Sequence, residues 1–229
     1  MVNPNPSPLP APTLPALTLL ETRVLGVLVE KEHTVADIYP LSLNALTAGC
    51  NQKNNRAPVL AATEAEVQAA IDRLRPLSLV IESSGSRVMR YSHNVGRVLR
   101  VPSEAVALLA TLWLRGPQTS AELRAASERL HRFADTSSVE GFLEQLADRP
   151  AEAGGPLVVL LPREAGARER RWAQLLSPAA PDQQAGVPAV VTDGARDESD
   201  GGLRAEVARL AAEVAELRRR IEQLEAGLG

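Results

Sequence analysis

The sequence predicts an α+β protein, mainly α, with two tandem winged helix-turn-helix domains followed by a C-terminal coiled-coil helix. Three observations lead there. Residues 18–91 read as three helices and then two short alternating runs about a Gly/Ser turn, and residues 103–172 repeat that order without obvious sequence identity. Residues 203–228 carry Leu, Val and Ile at alternating spacings of four and three. With 229 residues, 45% of them apolar, the chain can build two small cores, and with only 3% aromatics those cores must be Leu, Val, Ile and Ala.

Residues 1–16 alternate Pro with small or polar residues and predict an extended, disordered tail. The first domain is placed at residues 17–101. Thr18 and Glu21 are spaced as a capping box, in which each side chain satisfies a backbone N–H at a helix start. Leu20, Val24, Val27 and Leu28 continue at helical spacing to about Lys31. A second helix fits Ser42 to about Cys50. Thr63 and Glu66 open a third, which carries Val67, Ala70, Ile71 and Leu74 and closes at Pro76. Leu79–Ile81 and Arg87–Tyr91, on either side of Ser83-Ser84-Gly85-Ser86, read as a hairpin.

The second domain is placed at residues 102–177. Ser103 opens a helix with Val106, Leu109, Ala110 and Trp113 that stops at Gly116-Pro117. Thr119/Glu122 and Ser137/Glu140 read as two more capping boxes, the first for a helix to about Leu130, the second ahead of Phe142, Leu143 and Leu146. Leu157–Leu161 reads as a strand, and the charged stretch Arg163–Arg171 leads to Trp172 on a second arm. Residues 178–202, rich in Pro, Gly, Asp and Ser, read as a flexible linker. In the coiled-coil helix, residues 203–228, Leu203, Leu210, Leu217 and Leu224 take d positions, and Val207, Val214, Ile221 and Leu228 take a. β-Branched a with Leu at d predicts a parallel homodimer. A lone helix packed on its own domains is the alternative.

Composition narrows the function. The net charge of −3 argues against a protein that coats nucleic acid by charge alone. Residues 18–101 carry 10 Lys/Arg against 8 Asp/Glu, whereas residues 179–229 carry 6 against 10, so the first domain is the better partner for an anion. A single cysteine, Cys50, excludes an internal disulfide and a cysteine-rich zinc site, and His33, His93 and His131 stand apart from it and from each other. No apolar run reaches the length of a membrane span, and the N-terminus lacks a signal-peptide pattern. The expectation is a cytoplasmic protein, with no cofactor, no metal and no membrane partner. Without a Gly-rich phosphate loop, a nucleophile motif or metal-ligand spacing, it is not expected to be an enzyme.

The candidate contact residues lie in two places. Asn51, Gln52, Lys53, Asn54, Asn55 and Arg56 form a run of amide and cationic side chains at the end of the second helix. Amides can pair with adenine, and Arg or Lys with guanine or phosphate. The competing reading is that the amides cap the helix and satisfy backbone groups of the loop to Thr63. The first wing, from Gly85 to Arg100, holds Arg87, Arg90, Arg97 and Arg100 and no acid, a strip able to hold phosphates. The third helix argues the other way, since Glu64 and Glu66 occupy its first turn, where a groove reader meets phosphate.

Glu21–Lys31, Tyr39–Leu46, Cys50–Arg56 with Pro58-Val59, and Leu114–Thr119 with Glu122–Arg124 together closely resemble the YceH-like family of bacterial proteins. The resemblance spans about residues 17–176, and CNQKxNR is its most specific segment; His33-Thr34 and Thr47–Gly49 depart slightly from the family pattern. It implies two winged-helix domains and no activity, because the family is a domain of unknown function. The leading expectation is a homodimer that binds double-stranded DNA, a transcriptional regulator using Lys53, Arg56 and the wing arginines. The alternative is a winged-helix scaffold that binds another protein and never touches DNA. Arg87 and Arg90 tied up within the fold would favour that scaffold.

Overall fold

Helix α1 (Leu19–Thr34) is the axis of the structure, and it starts where the capping box predicts. The Thr18 hydroxyl accepts from the Glu21 N–H at 3.2 Å, and the Glu21 carboxylate accepts from the Thr18 N–H at 2.6 Å. Every residue from Glu21 to Val29 is buried, so the helix is surrounded on all sides rather than on one stripe. The computed structural model describes residues 14–84, 88–164 and 166–178. The heptad residues Leu203, Val207, Leu210, Val214, Leu217, Ile221 and Leu224, and Arg87 of the first wing, lie outside the described residues, as does nearly all of the Pro-rich tail and of the linker.

After α1 come β1 (Leu41–Ser42), α2 (Leu43–Cys50), α3 (Glu64–Leu74), β2 (Val80–Ser84), β3 (Met89–His93) and a short α4 (Val95–Leu99). The strands form an antiparallel sheet in the order β1-β3-β2, with Leu41 opposite Tyr91 and Glu82 opposite Tyr91 on the other side. The second half runs α5 (Ser103–Arg115), α6 (Ser120–Ser127), α7 (Thr136–Ala147), β4 (Val158–Leu160) and β5 (Trp172–Gln174), the last two pairing antiparallel. The fold is thus α+β and mainly helical, with seven α-helices and two small antiparallel sheets among the described residues.

Helix α5 is as deeply enclosed as α1, buried continuously from Ala105 to Leu114, and the two helices pack on each other. Gly26 permits the approach: a Cβ there would lie 2.9 Å from Leu114 Cγ. Leu25 and Leu28 from α1 and Leu108, Leu109 and Leu112 from α5 join one continuous core that also takes in Ile71, Leu143 and Trp172. Burying each such leucine stabilises the fold by about 1.5–3 kcal/mol. Backbone bonds tie the halves further, from Leu17 N–H to Leu176 C=O at 2.7 Å and from Ala57 N–H to Leu114 C=O at 2.8 Å.

Two local expectations are corrected, and two short elements add to the expected set. Asp135, not Ser137, caps α7: its carboxylate accepts from the Ser138 N–H at 2.8 Å and from both neighbouring hydroxyls. That acceptance holds the Asp135 carboxyl down at about 2. Helix α6 ends at Ser127, where the serine hydroxyl turns back onto Leu123 C=O and the next residues leave as a turn. Strand β1 and helix α4 were not anticipated. The first is two residues long and exists only through its pairing with β3, and the second has no side-chain cap.

Candidate functional site

The polar run after α2 folds inward. The last turn of α2 presses on α1 at Gly49, where a Cβ would come within 2.5 Å of Val27 Cγ1. This brings the carbonyls at the end of α2, which have no partner within the helix, over two arginines. Arg23 Nη1 donates to Cys50 C=O at 3.2 Å and Nη2 to Pro58 C=O at 2.7 Å, pinning both ends of the loop. Arg56 Nε donates to Gly49 C=O at 3.1 Å. Cations at a helix C-terminus also oppose the negative end of its dipole.

Arg56 is held from every side. Its Nη1 and Nη2 reach the two Glu30 oxygens at 3.2 and 2.6 Å, Nη2 also reaches Gln52 Oε1 at 2.9 Å, and Nη1 reaches Asn55 C=O at 2.9 Å. A bidentate pair of this kind is among the strongest polar contacts in a protein. Glu30 takes Lys31 Nζ as well, at 3.3 Å. Its carboxyl is pulled below the usual range: burial pushes it up, but the hydrogen bonds and charge of Arg56, with Lys31, outweigh that. Arg23 has no carboxylate partner among the described residues; burial, and then repulsion from Arg56, push it down to about 10, with Cys50 opposing. Its Nε is buried with no acceptor among the described residues.

Asn51 completes the clasp. Its amide donates to Ala62 C=O at 2.7 Å and accepts from Ala62 N–H at 2.8 Å, replacing a backbone pairing with a side chain. The structure therefore ties Asn51 to Ala62 and Gln52 to the buried Arg56, and leaves Gln52, Lys53, Asn54 and Asn55 exposed on the outer rim. Asn55 sits at φ 59°, a left-handed conformation that asparagine tolerates. Arg56, expected to reach a partner, keeps no exposed side-chain surface. Cys50 is buried beneath, its thiol pushed up to about 12 by burial against the opposing pull of Arg23 and Arg56.

On the first wing, Arg90 bends back and donates from Nη1 to Ile38 C=O at 3.3 Å and to Pro40 C=O at 2.8 Å. Arg97, on α4, is exposed, and Arg87 is outside the described residues. The acids of α3 are also employed. Glu66 closes its capping box with Thr63, and Glu64 accepts from Asn44 Nδ2 at 3.0 Å. Arg73 and Arg75 pair with Glu21 and Glu82 at 2.9 and 2.8 Å. Sequence reasoning missed Arg23 and Glu30, the inner half of the network. The available signal was an arginine set directly before the largely apolar run Val24–Val29 of α1.

Among the described residues, no group of three or more His, Cys, Asp or Glu is placed to hold a metal, and no helix is long and apolar enough to cross a membrane.

Fold and clasp together define a mainly helical α+β protein in which a helix, helix, helix, strand-pair order occurs twice around one core. A family described as "Protein of unknown function, DUF480" matches residues 17–167. The chain is 57% identical over 216 residues to a UPF0502 protein of Leptothrix cholodnii, covering 93% of this chain and 96% of the relative. It is 59% identical over 207 residues to one from Methylibium petroleiphilum, covering 88% and 85%. Against one from Paraburkholderia xenovorans it is 53% identical over 228 residues, 100% of this chain and 95% of the relative. The chain belongs to this DUF480/UPF0502 family of bacterial proteins, in agreement with the YceH-like resemblance.

Proposed function

We propose that the chain is a tandem winged-helix module that works through protein contacts, its helix-turn-helix turn closed into a structural clasp instead of being presented to a duplex. The observation that carries this reading is the Arg56 guanidinium, buried and forked onto Glu30 at 2.6 and 3.2 Å. A cation spent in that way is not available to phosphate. Arg90, tied to the Ile38 and Pro40 carbonyls, and the acidic first turn of α3 support the same reading. Self-association through the Leu203–Leu224 stripe belongs to the proposal on its heptad pattern alone. The module is read as non-catalytic, in keeping with a Cys50 thiol that burial keeps protonated.

Duplex binding is the second reading, favoured by Lys53 and Arg97, both exposed and without an ion-pair partner among the described residues. A salt titration of mixed-sequence duplex with the full chain, beside Lys53→Ala/Arg97→Ala, separates the two. Each phosphate neutralised steepens the log–log salt dependence by about 0.9. Absence of saturable binding at low salt is the expected result. Steep salt-dependent binding that the double variant flattens would overturn the protein-contact reading in favour of DNA.

A further inference from the structure

A second polar feature lies outside the clasp, where α5 ends and α6 begins. Arg115, Pro117, Gln118, Glu122, Ala125, Ala126 and Arg171 enclose an open hollow of about 470 Å³. Its walls are fixed by regular structure. Gln118 exchanges both backbone hydrogen bonds with Trp172, at 3.1 and 2.7 Å, which draws the preceding Arg171 across the first turn of α6. There Arg171 forks onto Glu122 at 2.8 and 3.2 Å and donates to Pro117 C=O at 3.0 Å. These two opposite charges neutralise each other.

Arg115 is different. It is half-buried, and no hydrogen-bond acceptor or carboxylate within salt-bridge distance meets it among the described residues. Burial lowers its affinity for a proton, Glu30 raises it and Arg56 lowers it again. Glu30 is already engaged by Arg56 and Lys31, so it cannot serve as the counter-ion. Gln118 is buried at 7% exposure and donates its amide N–H groups to the Thr111 and Gly116 carbonyls at 3.4 and 3.3 Å. Its amide oxygen is a separate acceptor, for which no bond from a described residue is seen.

We infer that this hollow binds a small organic carboxylate, with Arg115 as the receiving cation. A free guanidinium fork matches the two oxygens of a carboxylate. With Arg171 and Glu122 neutralising each other, a phosphate dianion would bring a second charge that no free cation of this hollow balances. The Gln118 oxygen selects a ligand that also carries a donor, such as a 2-hydroxy acid, while Pro117, Ala125 and Ala126 supply an apolar floor.

The test is a ligand-detected NMR titration of the full chain with lactate, with acetate and inorganic phosphate as comparators, at low ionic strength. Lactate is expected to saturate with a Kd on the order of millimolar, as suits one ion pair and one hydrogen bond. Arg115→Gln should weaken it at least about tenfold, whereas Arg97→Gln leaves it unchanged. Ala125→Leu fills the hollow from an exposed position and should abolish binding by itself, which decides the matter even where Arg115→Gln unfolds the chain. No saturable carboxylate binding, tighter binding of phosphate, or full affinity in Arg115→Gln or Ala125→Leu would each overturn the inference.

Discussion

Gly49→Ala perturbs the contact that seats the clasp. In an ordinary helix, alanine is preferred over glycine by about 1 kcal/mol. Here the new Cβ would stand 2.5 Å from Val27 Cγ1, more than about 1 Å inside normal carbon–carbon contact. Val27 is fully buried, and as a β-branched residue on a helix it has essentially one χ1 rotamer, so it cannot swing aside. Overpacking of this kind costs about 1–3 kcal/mol or somewhat more. With a contact this short the cost falls at the upper end of that range, so set against the helix preference the net loss should be about 1–2 kcal/mol, which for a protein of this size lowers Tm by about 2–8 °C. Urea and thermal melts of the full chain, followed by the fluorescence of the buried Trp113 and Trp172, read it directly. In a Val27→Ala background the clash is gone and Gly49→Ala should be neutral or stabilising. A Gly49→Ala protein that melts higher than wild type, or one penalised equally in both backgrounds, would refute the close approach of α2 to α1.

Two further outcomes follow from the groups around the clasp. Glu30 has its pKa lowered in the fold, so its contribution is complete above the unfolded value of about 4.3 and is lost as pH falls through the lower folded value. Acid titration of wild type against Glu30→Met should show a stability difference that shrinks below pH 4.3, and a difference independent of pH would contradict the pairing. Cys50, buried with its thiol pushed up to about 12, should resist alkylation by iodoacetamide at pH 8 in the native state and react at once in denaturant; fast native labelling would place it at the surface.

What was legible in the sequence was local. Thr18/Glu21, Thr63/Glu66 and Thr119/Glu122 each close within one helical turn, so spacing alone reveals them, and the structure forms all three capping boxes. Ser137/Glu140 had the same spacing, but Asp135 two residues earlier offers a charged acceptor that takes three donors, and it won the position. Strand β1 was invisible because two residues have no periodicity, and its partner β3 lies about fifty residues along the chain. The polar run Asn51–Arg56 stood out in the sequence, but its direction did not. Whether Arg56 faces solvent or core depends on Glu30, 26 residues upstream on another helix, and no local pattern links them. Arg115 went unnoticed for a similar reason, as a single arginine at a helix end becomes unusual only when its surroundings offer it no partner.

The measurement closest to the central claim is a double-mutant cycle on Glu30 and Arg56, using Arg56→Met, Glu30→Met and the pair, read by urea denaturation at pH 7. Breaking a buried ion pair from one side costs about 3–5 kcal/mol. Glu30 retains 17% side-chain exposure and a second partner in Lys31, which moderates the loss, so a coupling energy of about 2 kcal/mol is expected. The double variant should then be markedly less destabilised than the two single losses added together. A coupling below about 0.5 kcal/mol, the level of an exposed pair, would contradict an inward-facing clasp and return Arg56 to the surface as a contact residue.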